Sequence, residues 1–204
     1  MAPRKALLPN ERAALEDYLK RGGNAMFLYE PRTTDEITDL VRPLGITVGR
    51  DLVVDQVVRM FAGPGLGVQP MVTHYGDHET TKNLTEGTVY STVSSVTRAA
   101  NVPDGAIITE LAFSSANSWA EKDLERLYSE KPLASRDPED LRGPVSIAAA
   151  FEGVYPKGKF LKASEEKEEP EPIPADAKKS RIVVLGDVDF VANVNLRQLF
   201  NADF

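Results

Sequence analysis

The chain has 204 residues, 42% hydrophobic and 27% charged, with a net charge of -7, a pI of about 5.0 and no cysteine. That length and apolar content can fill one sizeable core, while the acid excess argues against an extended nucleic-acid face and gives no attraction to anionic lipid. The lack of cysteine rules out disulfides, thiolate-bound zinc, iron–sulfur clusters and thiol nucleophiles, and no stretch approaches the ~20 apolar residues of a membrane span.

The start, Met1-Ala2-Pro3-Arg4-Lys5, lacks the apolar centre of a signal peptide. Pro9 to Arg21 reads as a helix, with proline at its first position and Leu15, Tyr18 and Leu19 on one face. The Gly22-Gly23 pair closes it, because glycine accepts the left-handed conformation of a helix end. The apolar run Ala25–Tyr29 follows as a strand expected to be buried on both faces. Thr33 and Glu36 have capping-box spacing ahead of a helix carrying Ile37, Leu40, Val41 and Leu44, ended by Gly45. Ile46–Val48 and Leu52–Val54 are short strands, the second ending at Asp55. This alternation of helix and strand predicts a mostly parallel sheet flanked by helices, an α/β fold of flavodoxin-like type.

Phe61–Gly67 is a glycine-rich loop whose Pro64 breaks any dinucleotide-binding pattern. Thr88–Thr97 and Ala106–Phe113 read as strands, and Ser118-Trp119-Ala120-Glu121 has capping-box spacing for a helix through Leu127. Gly143-Pro144 precedes the strand Val145–Phe151. Ala163–Ser180 is acidic and nearly devoid of apolar residues, which predicts a mobile excursion within a single domain spanning 1–204. Arg181–Asp187 is a buried strand, with Asp189, Phe190 and Asn193 in the turn after it and a helix around Asn195–Leu199.

In open α/β sheets, chemistry sits just past the carboxyl ends of the strands. After the first strand that place holds Tyr29, Glu30 and Pro31, and no nucleophile. His74 and His78 have the spacing of two metal ligands on a helix, but Gly76 weakens such a helix and Tyr75 stands where a metalloprotease has glutamate, so loop capping competes. Asp187 and Asp189 at a strand end can bind metal or act as acid and base, or can cap the turn they occupy. Ser114 and Ser115 lack a nucleophile elbow, and Trp119 reads as a packing anchor.

Six motifs occur in order: Leu15-x-x-Tyr18-Leu19-x-x-Gly22-Gly23; Val53-Val54-Asp55; Tyr75-x-x-His78-x-x-Thr81; Phe113-Ser114-Ser115-x-Asn117-Ser118-Trp119-Ala120-Glu121; Gly143-Pro144-Val145; and Val184-Leu185-Gly186-Asp187-x-Asp189-Phe190-x-x-Asn193. Together they resemble the auxiliary domain of the uncharacterised ABC-type transport system that includes the gliding-motility auxiliary component. The resemblance implies a fold similar to class I glutamine amidotransferases and to the N-terminal domain of an intraflagellar transport protein. The amidotransferase nucleophile would fall near Glu30 or Pro31, where no cysteine stands. The implied role is a non-catalytic binding or assembly domain in the periplasm, with no cofactor and no metal, serving permease and ATPase subunits or other envelope proteins. Tyr29, Glu30, Asp55, His78, Ser115, Trp119, Asp187, Asp189 and Asn193 form the candidate binding surface. Two alternatives are a metal-dependent hydrolase on Asp187, Asp189 and His78, and a carbohydrate-binding module using Trp119 and Tyr75. The resemblance further implies truncation at both ends: a strand before Pro3, and a helix and membrane span after Phe204. The sheet edge left without that strand would favour self-association.

Overall fold

The computed structural model describes residues 5–31, 36–57, 67–156 and 176–192. Helix α1 (Pro9–Lys20) starts with proline at its first position, and the Glu11 carboxylate accepts a bond from the Leu8 N–H at 2.9 Å. Gly22, at φ +84°, ends it as the sequence predicts. Strand β1 (Ala25–Leu28) follows. Helix α2 (Glu36–Val41) continues into a 3-10 turn, Arg42–Leu44, and stops at Gly45, φ +83°. Ile37, Leu40, Val41 and Leu44 are all buried, as their helical spacing requires.

A five-stranded sheet carries the fold. Its order is β1, β12 (Lys179–Leu185), β11 (Ser146–Val154), β8 (Ile107–Phe113) and β5 (His74–Tyr75). β1 and β12 run parallel, from Ala25 opposite Ile182 to Leu28 opposite Leu185. The remaining three pairings in this sheet are antiparallel. A second sheet orders β10 (Leu141–Arg142), β9 (Ser118–Glu121) and β3 (Leu52–Asp55), again antiparallel. Two ribbons complete the set, β2 (Ile46–Val48) with β7 (Val96–Arg98) and β4 (Met71–Val72) with β6 (Thr88–Val89).

The expected mostly parallel, flavodoxin-like or amidotransferase-like sheet is therefore wrong. The architecture is mixed and mainly antiparallel. Parallel neighbours need long crossovers, usually helical. Among the described residues α1 and α2 both precede β2, and the helix after them, Leu124–Leu127, is a single short turn.

Several local readings also change. β1 ends the strand order of its sheet, and its faces alternate: Phe27 is buried while Met26 is 42% exposed. It is not buried on both faces. Thr88–Thr97 is two short strands parted by an irregular stretch with Thr92 at φ +59°. Ser118–Glu121 starts no helix; it is β9, held by Val53 opposite Ala120 and Val54 opposite Trp119. The short helix comes later, at Leu124–Leu127, where the Asp123 carboxylate accepts a bond from the Arg126 N–H. Lys179 and Ser180, placed in the acidic excursion by composition, belong to β12. Thr33 of the first capping box, the loop 61–66, residues 163–175, Asn193 and the helix at 195–199 lie outside the described residues.

Three apolar layers follow from strand alternation. Phe27, Ile182, Val184, Ala149 and Phe151 face Leu19 of α1 and the buried side of α2. Leu185, Ala148, Ala150 and Leu111 face the opposite way, toward Tyr90, Val93, Val53 and Phe190. Beyond β3, Leu52, Val54, Trp119 and Leu127 make the third layer.

Phe27→Ala should cost about 3–5 kcal/mol in urea melts and Met26→Ala no more than about 1 kcal/mol, because only the first side chain is wholly interior. Equal costs would contradict the alternation. Ser180, fully buried, donates its hydroxyl to the Leu19 carbonyl at 2.7 Å. Ser180→Ala should lower stability by about 1 kcal/mol, since it removes one of two bonds on that carbonyl, which keeps the Gly22 N–H at 2.9 Å.

Candidate functional site

The strand ends hold buried carboxylates, and each is bonded to backbone. Asp55, at the end of β3, accepts bonds from the Ser115 hydroxyl at 2.8 Å, the Ser115 N–H at 3.2 Å and the Val57 N–H at 2.9 Å. Asp187, just past β12, accepts from the N–H groups of Ser91 at 2.7 Å and Asp189 at 2.6 Å. Asp51 binds the Ser95 N–H and hydroxyl at 2.8 and 2.6 Å. Glu121 binds the N–H groups of Asp123 and Ser135 and the Trp119 indole at 3.0–3.3 Å. Each carboxylate thus ties a loop to a strand end.

Burial raises the Asp51 carboxyl above its ordinary value, against the Ser95 bonds that lower it. Asp187 is pushed up to about 7, first by burial, with the N–H bonds of Ser91, Asp189 and Phe190 opposing and the nearby Asp189 charge adding. Gly186 beside it lies against the Ser94 backbone; a Cβ there would meet the Ser94 carbonyl oxygen at 2.0 Å. The Ser94 N–H in turn donates to the Gly186 carbonyl at 2.8 Å. Backbone and carboxylate together fasten the loop around Ser91 to the end of β12.

Of the sequence-predicted site residues, Asp55 and Ser115 come together, and Asp187 and Asp189 share a turn. His78 pairs its Nδ1 with the Thr80 hydroxyl at 2.9 Å, which is the loop-capping role. Among the described residues, Asp187, Asp189 and His78 do not form a metal-ligand group. The three-carboxylate group that does bring its oxygens within 4.8 Å is Glu121, Asp137 and Asp140. Asp140 accepts bonds from the Lys122 and Asp137 N–H groups, so two of these three are already engaged by backbone. Trp119 is 2% exposed and offers no face to a sugar. Tyr75 places its hydroxyl 2.6 Å from that of Thr88 and donates toward the Glu86 carbonyl. Tyr29 is buried, with its N–H on the Leu185 carbonyl at 2.8 Å, and Glu30 is half-buried.

The open feature lies elsewhere. The segment from His78 to Leu84 bridges the second face of the main sheet and leaves a trough beneath it. The inner cavity, about 200 Å3, is lined by Met26, Tyr90, Ala148, Val183 and Leu185 below Thr80 and Leu84. The outer cavity, about 350 Å3, shares Thr80 and Val183 and adds Glu152, Arg181, His78 and Glu79. The alternation Arg181-x-Val183-x-Leu185 was a signal for this face; nothing in the sequence pointed to the segment that roofs it.

A family model described as "ABC-type uncharacterized transport system" matches residues 1–203. Among curated proteins, none matches. A solved structure described as the mmIFT52 N-terminal domain superposes with a TM-score of 0.55 at 16% identity, over 98% of this chain and 69% of that one. At that identity the likeness concerns the fold alone, and it accompanies a mixed sheet.

Because the folded-state value of Asp187 is raised, its contribution to stability is fully present below the ordinary carboxyl value of 3.8 and is lost as pH climbs to about 7. Relative to Asp187→Asn, the native chain should therefore lose stability between about pH 4 and 7 and run parallel above that range. Urea melts of both chains across the range check the sign; a difference that is flat or grows with pH would contradict it.

Proposed function

The chain belongs to the family of the ABC-type uncharacterized transport system, and on that premise we propose that it is a non-catalytic binding or assembly domain of an auxiliary component. Its partners are the permease and ATPase subunits or other envelope proteins. It works outside the cytoplasm, in a gliding-motility-type protein anchored by segments beyond this chain.

The observation that carries this reading is the use made of the strand-end carboxylates. Asp55, Asp187 and Glu121 accept backbone N–H groups and hold loops in place. A general base needs a free acceptor within reach of a substrate proton, and these are enclosed and engaged. Among the described residues an accessible concave surface is an apolar trough with a charged mouth, the anatomy of a recognition site rather than a reaction centre. No described helix is long and apolar enough to cross a membrane.

Two measurements test the reading. Immobilised chain should bind the purified permease or ATPase of the same system saturably, with Kd of about 10 μM or tighter, as interfaces of standard size allow. Failure to bind any subunit near 100 μM, a weak limit on that scale, would remove the assembly role. For location, the lack of cysteine makes an introduced Lys20→Cys the one thiol of the chain. Placed within the intact protein in its cell, it should react with a maleimide that cannot cross the inner membrane; protection until lysis would place it in the cytoplasm.

A further inference from the structure

The segment that roofs the trough is tied by two kinds of bond, and they answer differently to a proton. The His78 carbonyl accepts from the N–H groups of Thr81 and Lys82 at 3.0 and 2.9 Å, and the Leu84 N–H meets the Thr81 carbonyl at 2.9 Å. Thr81 also sends its hydroxyl to the Gly76 carbonyl at 2.6 Å. No group in these bonds titrates near neutral pH. Thr80 is held otherwise. Among the described residues both of its donors, the N–H at 3.2 Å and the hydroxyl at 2.9 Å, pair with one atom, Nδ1 of His78. A backbone N–H can only donate, so Nδ1 presents a lone pair and the ring proton sits on Nε2.

Thr80 also stands where the two cavities meet. It and Val183 line both, the apolar inner one of about 200 Å3 and the outer one of about 350 Å3 that His78 itself lines. Imidazole is the side chain that takes up a proton between about pH 5 and 8. A proton on Nδ1 sets two donors against each other, so the ring must turn away from the Thr80 N–H. Asp77, Glu79 and Lys82 share the ring's stretch of chain, with Lys82 on Glu79 at 2.5 Å. Glu152, Lys179 and Arg181 lie on the strands below, both cations on Glu152 at 3.5 Å. Three carboxylates meet three cations, so charge drives the segment neither onto the sheet nor off it, and the lost hydrogen bonds decide. Tyr75 and Tyr90 of the inner cavity are pushed up by burial and stay neutral across that range.

We propose that His78 is a proton-sensitive latch on the neck of the trough. The neutral ring pins Thr80 across the junction of the two cavities. The protonated ring releases it, and the inner cavity then opens to solvent through the outer one. Thr81, Lys82 and Leu84 keep their bonds, so the release is confined to the neck and leaves the fold intact. The latch works whatever occupies the trough, and does not depend on the assembly role.

The test follows the full chain by NMR from pH 8 to pH 5. At pH 8 the ring nitrogen shifts of His78 should report Nε2–H and a bare Nδ1. As the ring gains its proton, the Thr80 amide should lose up to about tenfold of its protection from exchange with water, corrected for the intrinsic rate at each pH, which is the worth of one hydrogen bond. The Thr81 and Lys82 amides should keep theirs. Hydroxy-TEMPO, a small water-soluble radical, should broaden the methyl signals of Val183 and Leu185 more in acid than at pH 8. His78→Asn offers a side-chain carbonyl to the N–H two residues on and takes up no proton; it should stay latched at every pH. His78→Ala, with no acceptor, should stand open at every pH. The latch is overturned if the neutral ring carries its proton on Nδ1, if the Thr80 amide ignores the titration of His78, or if the methyl broadening is the same at both ends of the range. It is equally overturned if His78→Asn responds to pH as the native chain does, because Asp187 and His74 are still present in it and would then be the source.

Discussion

The parallel pairing of β1 with β12 is the constraint on which the other layers depend. It joins Ala25–Leu28 to Ile182–Leu185, the two ends of the described chain. On its other side β12 meets β11 along seven residues, so it links the early helical part to the later antiparallel part. Its alternating side chains feed both main layers at once, Ile182 and Val184 toward α1 and α2, Leu185 toward Tyr90 and Phe190. Ser180 adds a direct bond to the end of α1. Losing β12 would separate the layers rather than trim one of them.

The irregular connections pose a different problem. Short strands joined by loops leave many backbone N–H groups without ladder partners, and burying such groups unpaired is costly. The chain answers with carboxylates. Asp51, Asp55, Glu121, Asp140 and Asp187 are all buried, and all accept backbone N–H groups from neighbouring loops. Acidic residues at strand ends, which in an α/β enzyme would suggest chemistry, here build the scaffold. The same latches position Tyr90 and Phe190, whose rings lie 5.1 Å apart, and so shape one wall of the trough.

Much of the local structure was legible. The α1 helix with its terminal glycine, the apolar stripe of α2 through Leu44, and the strands at Ile46, Ile107, Ser146 and Ile182 all follow from spacing that a single element imposes on its own residues. The errors fell where neighbours decide. Ser118-Trp119-Ala120-Glu121 has helix-start spacing, yet register with Val53 and Val54 draws it into a strand whose two faces are both buried. Glu121 then serves Trp119 and two loops instead of a helix cap. At His78, where loop capping competed with a metal site, the side chain caps a turn through Thr80.

By itself, the sequence determined that the chain has a packed core, which positions face it within each element, and the ordered motifs that assign the family. Those properties depend on residue type and short spacing, which the chain carries locally. Strand direction, sheet membership and the trough were decided only by tertiary structure. Pairing of β1 with β12, or the roofing of Val183 by Thr80, joins residues about a hundred or more positions apart. Periods of two and 3.6 residues carry no record of which distant partner completes the backbone hydrogen bonds.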